Sequence, residues 1–429
     1  ETRGERIPDG MNGLLPHNRT ALRGLEAMLD MTDRAAVIQP TGTGKSYVAA
    51  ALIAARPSWD VIWCTPSRTI TDGRLPCLER DIPGFRADRV TVLTYAKLMI
   101  GTRRGNPMPH ADLIILDEYH HCGARHWGAG VRRLLDANPG ARIVGLSATP
   151  RRYGDGARDM TDELFDGRVA SRMTLSEAWA RRILPVPEYV IAGYEGDALI
   201  GRVRPRVERC GTPGARRLFE RLRRAVTGMA GVDAMFARRL PPDAHVIVFC
   251  TDLTRLEGAR AHAREWFGPD ARDYAIHSRY GRPDGAIRAF EADSAPGRKI
   301  LYCVDMLNEG VHLDGVDAIV MLRATTSPHV YLQQLGRVLD ATGNRTPLVF
   351  DISDNYSGLG WLLAHGTPAD AAGGADMDAG NPLAGMRIVD ETADIRILAS
   401  RLEDMLGMSM DGKIEYVIRR LGERRGDKR

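Results

Sequence analysis

Gln39-Pro-Thr-Gly-Thr-Gly-Lys-Ser46 is the stretch that decides the fold. An apolar run, Arg34-Ala-Ala-Val-Ile-Gln39, leads into it, and a helical run, Tyr47-Val-Ala-Ala-Ala-Leu-Ile-Ala-Ala55, leads out. Strand, glycine-rich turn and helix in that order are the setting of a phosphate-binding loop. Gly42 and Gly44 let backbone N–H groups close around phosphate oxygens, and the helix N-terminus adds a favourable dipole. Thr41 and Thr43 complete the candidate cradle, Lys45 is placed for the β- and γ-phosphates, and the Ser46 hydroxyl is placed for Mg²⁺. The usual first glycine of the pattern is Gln39 here. Lys45 is one of only five lysines in a chain with 59 Lys and Arg, so its position in this loop is not explained by a mere connection.

Outward from the loop, short and continuously apolar strands alternate with helices. An amphipathic helix is read over residues 14–30, before the loop. Strands are read at Asp60–Pro66, Arg89–Tyr95, Ala111–Glu118 and Ala141–Thr149. The rhythm restarts at Ala244–Cys250 and continues at Asp273–His277, Lys299–Val304, Asp317–Leu322 and Pro347–Asp351. Such runs predict an α/β fold with parallel sheets covered on both faces. The chain divides into a first unit over 1–188, a linker over 189–210 marked by Pro205 and a basic run, and a second unit over 211–356. A tail over 357–429 follows, with a Gly/Ala/Asp-rich loop at 366–383 and a mostly helical segment at 393–421.

A length of 429 residues suits two or three domains, and 44% hydrophobic with 27% charged residues is a globular composition. A net charge of +4 is too mild to identify a nucleic-acid partner by itself. The six cysteines are dispersed, form no C-x-x-C, and read as buried thiols of a reducing, cytoplasmic setting. No apolar stretch reaches membrane-spanning length. His120, His121, Cys122 and His126 lack a second Cys/His pair and do not make a zinc site. The arginines at 151–152 and 202–209 suit phosphate contact or a solvated surface equally.

A phosphate loop needs a metal partner and a group that directs the attacking water. Asp117-Glu-Tyr-His120 ends a strongly apolar strand, so its side chains emerge at the carboxyl edge, where open α/β sheets hold ligands. Adjacent carboxylates there repel unless a cation is near. Asp117 is therefore read as an Mg²⁺ partner and Glu118 as the base.

At this point the motif series resembles the superfamily-two helicases of the DExH type. The matching residues are Gln39–Ser46, Thr65-Pro-Ser-Arg68, Thr94-Tyr95, Asp117–His120, Ser147-Ala-Thr149, Val248–Thr251, Asn308-Glu-Gly310 and Gln333-Gln-Leu-Gly-Arg337, in the family's order. Gln39 followed by Pro-Thr-Gly is the helicase form of the loop. Pro16-His-Asn18, Asp117–Ala124 and Asp159–Asp166 resemble a narrower bacterial group of restriction-type helicases from mobile elements.

The resemblance implies two tandem RecA-like domains with ATP and Mg²⁺ in the cleft between them. It implies Gln333 and Arg337 reaching across, with Arg337 as arginine finger, His120 as a coupling residue of motif II, and Gly310 and Asn18 near the nucleotide. Ser147 and Thr149 would couple the domains; Pro66, Arg68, Thr94 and Thr251 would track a nucleic-acid backbone. The expected activity is an ATP-dependent helicase or translocase, with DNA favoured over RNA and a nuclease or methyltransferase subunit as a candidate partner. Its rivals are a duplex-DNA motor that does not separate strands and a weakly hydrolysing ATP-binding clamp. Three positions depart from the family pattern: Asn18 stands for the adenine-recognising glutamine, His312 for an aspartate, and Asp340 for the second arginine of motif VI.

Overall fold

The computed structural model describes residues 13–149, 151–152, 158–192, 232–277, 284–304, 315–325, 327–339, 345–353 and 386–390, with isolated positions at 204–220, 313 and 355–356. Gly310, His312, Asp340, most of the expected linker, the 366–383 loop and the 393–421 helices lie outside the described residues.

The first half begins with helix α1 (Pro16–Met31), then strand β1 (Arg34–Ile38) and helix α2 (Lys45–Ala54). Strand β2 (Val61–Thr65), helix α3 (Arg68–Asp81), strand β3 (Val90–Thr94), helix α4 (Tyr95–Arg103) and strand β4 (Leu113–Asp117) continue it. Helix α5 (Arg125–Asp136) and strand β5 (Arg142–Ser147) precede a two-residue pair, β6 (Arg151–Arg152) and β7 (Arg158–Asp159). Helix α6 (Met160–Phe165), strand β8 (Val169–Arg172) and helix α7 (Leu175–Ala180) follow. The sheet order is β3-β2-β4-β5-β1-β8, all parallel. β5 thus lies between β1 and β4, which brings the ends of these three strands together at one carboxyl edge.

The strands are covered on both faces, as their unbroken apolar runs require. Every residue of β2 and β4 is buried. One face packs α1 and α2, with Leu22, Leu25 and Leu29 inward; the other packs Leu98, Leu134, Tyr119 and Phe165. Positions 18, 21, 22, 25 and 29 of α1 are buried, the spacing of a single helical stripe.

The second sheet has the order β11-β12-β10-β13-β14-β9-β15. Its strands are β9 (Glu188–Ile191), β10 (His245–Cys250), β11 (Arg272–Ile276), β12 (Lys299–Val304), β13 (Ala318–Met321), β14 (Leu348–Asp351) and β15 (Arg387–Asp390), again all parallel. Two of these differ from the sequence reading. Residues 188–191, read as the junction of the first unit and the linker, pair with β14, and residues 387–390, read as tail, pair with β9. Trp179 and Leu184 likewise share a core with Ile247, Tyr331 and Leu335 of the second half. The two halves are therefore tied together through residues 175–191. The architecture is that of two parallel-sheet RecA-like domains.

Candidate active site

Between β1 and α2 the chain turns through residues 39–44. Gly42 (φ 90°) and Gly44 (φ 84°) take the left-handed backbone that side chains resist. A Cβ on Gly42 would come within 2.1 Å of the Leu339 carbonyl oxygen, and one on Gly44 within 2.8 Å of Asn18 Nδ2. Both conformation and space exclude a side chain at these turns. Thr43 Oγ1 donates to the Pro40 carbonyl at 2.8 Å, and Gln39 Nε2 donates to Ser171 Oγ at 3.2 Å. Gln39 thereby anchors the loop to β8.

The start of α1 clasps the loop. His17 Nε2 donates to the Thr43 carbonyl at 2.8 Å, and Asn18 Nδ2 donates to the same oxygen at 2.9 Å. Asn18 Oδ1 is buried and has no hydrogen-bond partner among the described residues. A donor such as an adenine amino group would satisfy that acceptor, as would be expected of a residue near the base.

Lys45 Nζ donates to the carbonyls of Gln39 (2.9 Å) and Pro40 (3.2 Å). Burial holds its ammonium below the ordinary lysine value; Glu118 and Asp117 oppose that shift, while Arg74 and Arg337 add to it. Asp117 is buried at the end of β4, where Trp63 Nε1 donates to its Oδ2 at 3.4 Å. Burial first, then the charge of Glu118, pushes its carboxyl up to about 6, against the pull of Arg74 and Lys45. A carboxylate and a hydroxyl such as those of Asp117 and Ser46, both under the influence of Arg74, are oxygen donors of the kind a hard cation takes.

Glu118 stands in left-handed backbone (φ 51°, ψ 51°) as the N-cap of the short turn Tyr119–Gly123. For a side-chain-bearing residue this strain is about 1–2 kcal/mol, of a kind that collects at functional sites. The turn delivers His120 to β5: His120 Nδ1 lies 3.1 Å from Ser147 Oγ and 3.5 Å from Glu118 Oε2. Ser147 Oγ donates to the Thr149 carbonyl at 2.7 Å and accepts from Thr149 N at 3.2 Å. Glu118, His120, Ser147 and Thr149 thus form one connected set.

From the second half, the helix Pro328–Leu335 ends in a turn that touches the loop. A Cβ on Gly336 would lie 2.6 Å from Thr41 Cβ, and Leu339 approaches Gly42 as described. Arg337, between them, is close enough for its charge to depress the Lys45 ammonium. Gln333 is buried, and its Oε1 has no hydrogen-bond partner among the described residues. The structure thus brings together Asn18, Thr41, Gly42, Thr43, Gly44, Lys45, Ser46, Asp117, Glu118, His120, Ser147 and Thr149, with Arg337 beside them.

Pro66, Thr94 and Thr251 lie at or just beyond the carboxyl ends of β2, β3 and β10; Arg68 opens α3. The Thr94 hydroxyl accepts the Lys97 N–H as an N-cap, which leaves its own proton to donate. Two residues escaped the sequence reading. His17 supports the loop, and Arg74 Nη1 donates to Ser46 Oγ at 2.6 Å. His121 packs on His120 and Trp127. Among the described residues the three-residue grouping with ligand spacing is Asp60, His110 and Asp112, away from this site.

The family model described as "Helicase conserved C-terminal domain" matches residues 234–341, and that described as "Type III restriction enzyme, res subunit" matches residues 81–152. A "51.5 kDa protein" of Lactococcus phage (isolate 7-9) is 22% identical over 333 residues, which are 77% of this chain and 66% of that protein. Among solved structures, the ATP-dependent Type ISP restriction-modification enzyme LlaBIII bound to DNA aligns with TM-score 0.59 and 16% identity, covering 79% of this chain and 27% of that one. S. cerevisiae Dbp5 bound to RNA and ADP BeF3 aligns with TM-score 0.53 and 14% identity, covering 92% and 98%. At such identities these two show the fold. Motif order, family models and fold point the same way: the chain is similar to helicases over residues 234–341 and to a restriction-enzyme subunit over residues 81–152, and it shares their fold.

Proposed function

We propose that this chain hydrolyses ATP at the boundary of its two halves and uses the cycle to move along nucleic acid, DNA in preference to RNA. The observation that carries the reading is the seat of the Gly336–Leu339 turn on Thr41 and Gly42, with the Arg337 charge acting at Lys45. Ser46 and Asp117 would hold Mg²⁺. When bound, ATP with Mg²⁺ supplies a γ-phosphoryl group whose developing charge is partly neutralised by the metal. Glu118 takes the proton of the attacking water. Lys45 and Arg337 would stabilise charge on the phosphoryl oxygens, and Gln333 would support that role. His120, Ser147 and Thr149 link the base to the carboxyl end of β5. Asn18, with the unpartnered Oδ1, is assigned to the adenine. Pro66, Arg68, Thr94 and Thr251 are assigned to the backbone of the nucleic acid, a contact that needs no base reading.

The preference for DNA draws on the likeness to an enzyme solved on DNA. A cytoplasmic place is part of this reading, with Cys64, Cys122, Cys250 and Cys303 buried; among the described residues no helix is long and apolar enough to cross a membrane. The likeness to restriction enzymes also favours a second reading, a duplex-DNA motor that works beside a nuclease or methyltransferase subunit without separating strands. Displacement of a third strand from a triplex without displacement of a duplex strand would select it.

The test is ATP turnover with single-stranded DNA, duplex DNA and RNA at one fixed salt concentration, because backbone binding depends steeply on salt. DNA is expected to stimulate turnover, and Glu118→Gln to lower it by about 10²–10⁴-fold while ATP still binds. Stimulation by RNA alone would overturn the choice of DNA; normal turnover in Glu118→Gln would overturn the base assignment.

A further inference from the structure

Arg74 sits in α3. Its Nη1 donates to Ser46 Oγ at 2.6 Å, and the side chain is half-buried. Ser46 and Asp117 are the two residues assigned to the metal. A divalent cation coordinates through an oxygen lone pair, and the Arg74 N–H already uses the same hydroxyl oxygen. Two cations at one hydroxyl and one carboxylate also repel each other in a site shielded from solvent.

We propose that Arg74 is a positioning residue that competes with the divalent cation for Ser46 and Asp117, so that metal loading requires its guanidinium to withdraw from the Ser46 hydroxyl. The proposal rests on the nucleotide-site reading given above. The electrostatics agree with the geometry: the Arg74 charge lowers the Asp117 carboxyl and also depresses the Lys45 ammonium, so it acts on both neighbours of the metal position. No such cation is part of the motif series read from the sequence. The residue comes from α3, six positions after Arg68, on the element that opens directly behind the end of β2. Its effect would be to raise the metal concentration at which the site fills, and to compensate the Asp117 carboxylate in the nucleotide-free protein.

The test reads binding, not turnover. Mg²⁺ is titrated into the full chain with a fluorescent N-methylanthraniloyl ADP bound, for the wild type, Arg74→Gln and Arg74→Ala; Mn²⁺ bound at the site is counted in parallel by electron paramagnetic resonance. Removing the competing charge should lower the half-saturating Mg²⁺ by about tenfold, the size of one modest electrostatic interaction, and leave nucleotide affinity without metal unchanged. Arg74→Gln keeps the length and polarity of the side chain, so it reports on the charge even where Arg74→Ala loosens α3. An unchanged or raised half-saturating Mg²⁺ in Arg74→Gln overturns the competition. So does a fall in metal-free nucleotide affinity, which would make Arg74 a phosphate contact instead. Failure of the wild type to bind the nucleotide at all would overturn the nucleotide-site reading together with this one, so the two failures are distinguishable.

Discussion

Asp117 shows how the site sets chemistry against stability. Its folded pKa of about 6 stands above the ordinary carboxylate value, because burial and Glu118 disfavour the charged form. The folded state therefore binds this proton more tightly than the unfolded chain does. The ionised group opposes folding in full above pH 6, and the penalty fades as pH falls from 6 toward 4. Asp117→Asn removes the charge and should stabilise the nucleotide-free protein at pH 7.5 by about 1–3 kcal/mol, with the gain shrinking by roughly half at pH 5. Urea unfolding at the two pH values measures this; a variant no more stable at pH 7.5, or a gain that grows at pH 5, would contradict it. The residues of the site divide sharply in how far the sequence reveals them. Lys45, Ser46, Asp117 and Glu118 are legible because local order fixes their place: each follows an apolar strand at its carboxyl end. His17 and Arg74 are not, because a hydrogen bond between residues 26 or 28 positions apart depends on how α1 and α3 pack on the sheet.

At the scale of elements, the strands from β1 to β5 and from β10 to β14 could be read directly, most plainly the buried apolar runs of β2, β4 and β10. Those that could not be read are short, proline-flanked or mixed in character. β9 follows Pro185 and Pro187, which mark a break when read locally, yet its tetrapeptide Glu188-Tyr-Val-Ile191 is completed as a strand by β14 on one side and β15 on the other. β8 is a half-polar edge strand, Val169-Ala-Ser-Arg172, and gives no run to detect. α7 carries a consequence of the same kind. Trp179 is 4% exposed and shares a core with Leu335, Val338 and Leu339, which flank Arg337. Trp179→Ala should lower stability by about 3–5 kcal/mol, and lower turnover more than ATP affinity, since it loosens the seat of Arg337 rather than the phosphate loop. A stability loss under about 1 kcal/mol, or a loss of ATP affinity with turnover intact, would refute this role for α7.

Across the whole molecule, the site is made of two parts that neither half holds alone. The first half supplies the loop, the two carboxylates and the His120–Ser147–Thr149 link; the second supplies the turn Gly336–Leu339. Arg345, the other arginine near motif VI, pairs with Asp243 and Asp317 at 3.1 Å each in exposed bridges. Arg345 is thus held by two carboxylates, whereas the charge of Arg337 acts on Lys45. With aspartate at position 340, the proposed cross-cleft charge falls to Arg337. The direct test is single-turnover hydrolysis of ATP by Arg337→Ala beside the wild type, with ATP affinity measured on both. A composite site predicts hydrolysis slower by about 10³-fold or more with affinity nearly unchanged; full nucleic-acid-stimulated hydrolysis in Arg337→Ala would contradict it.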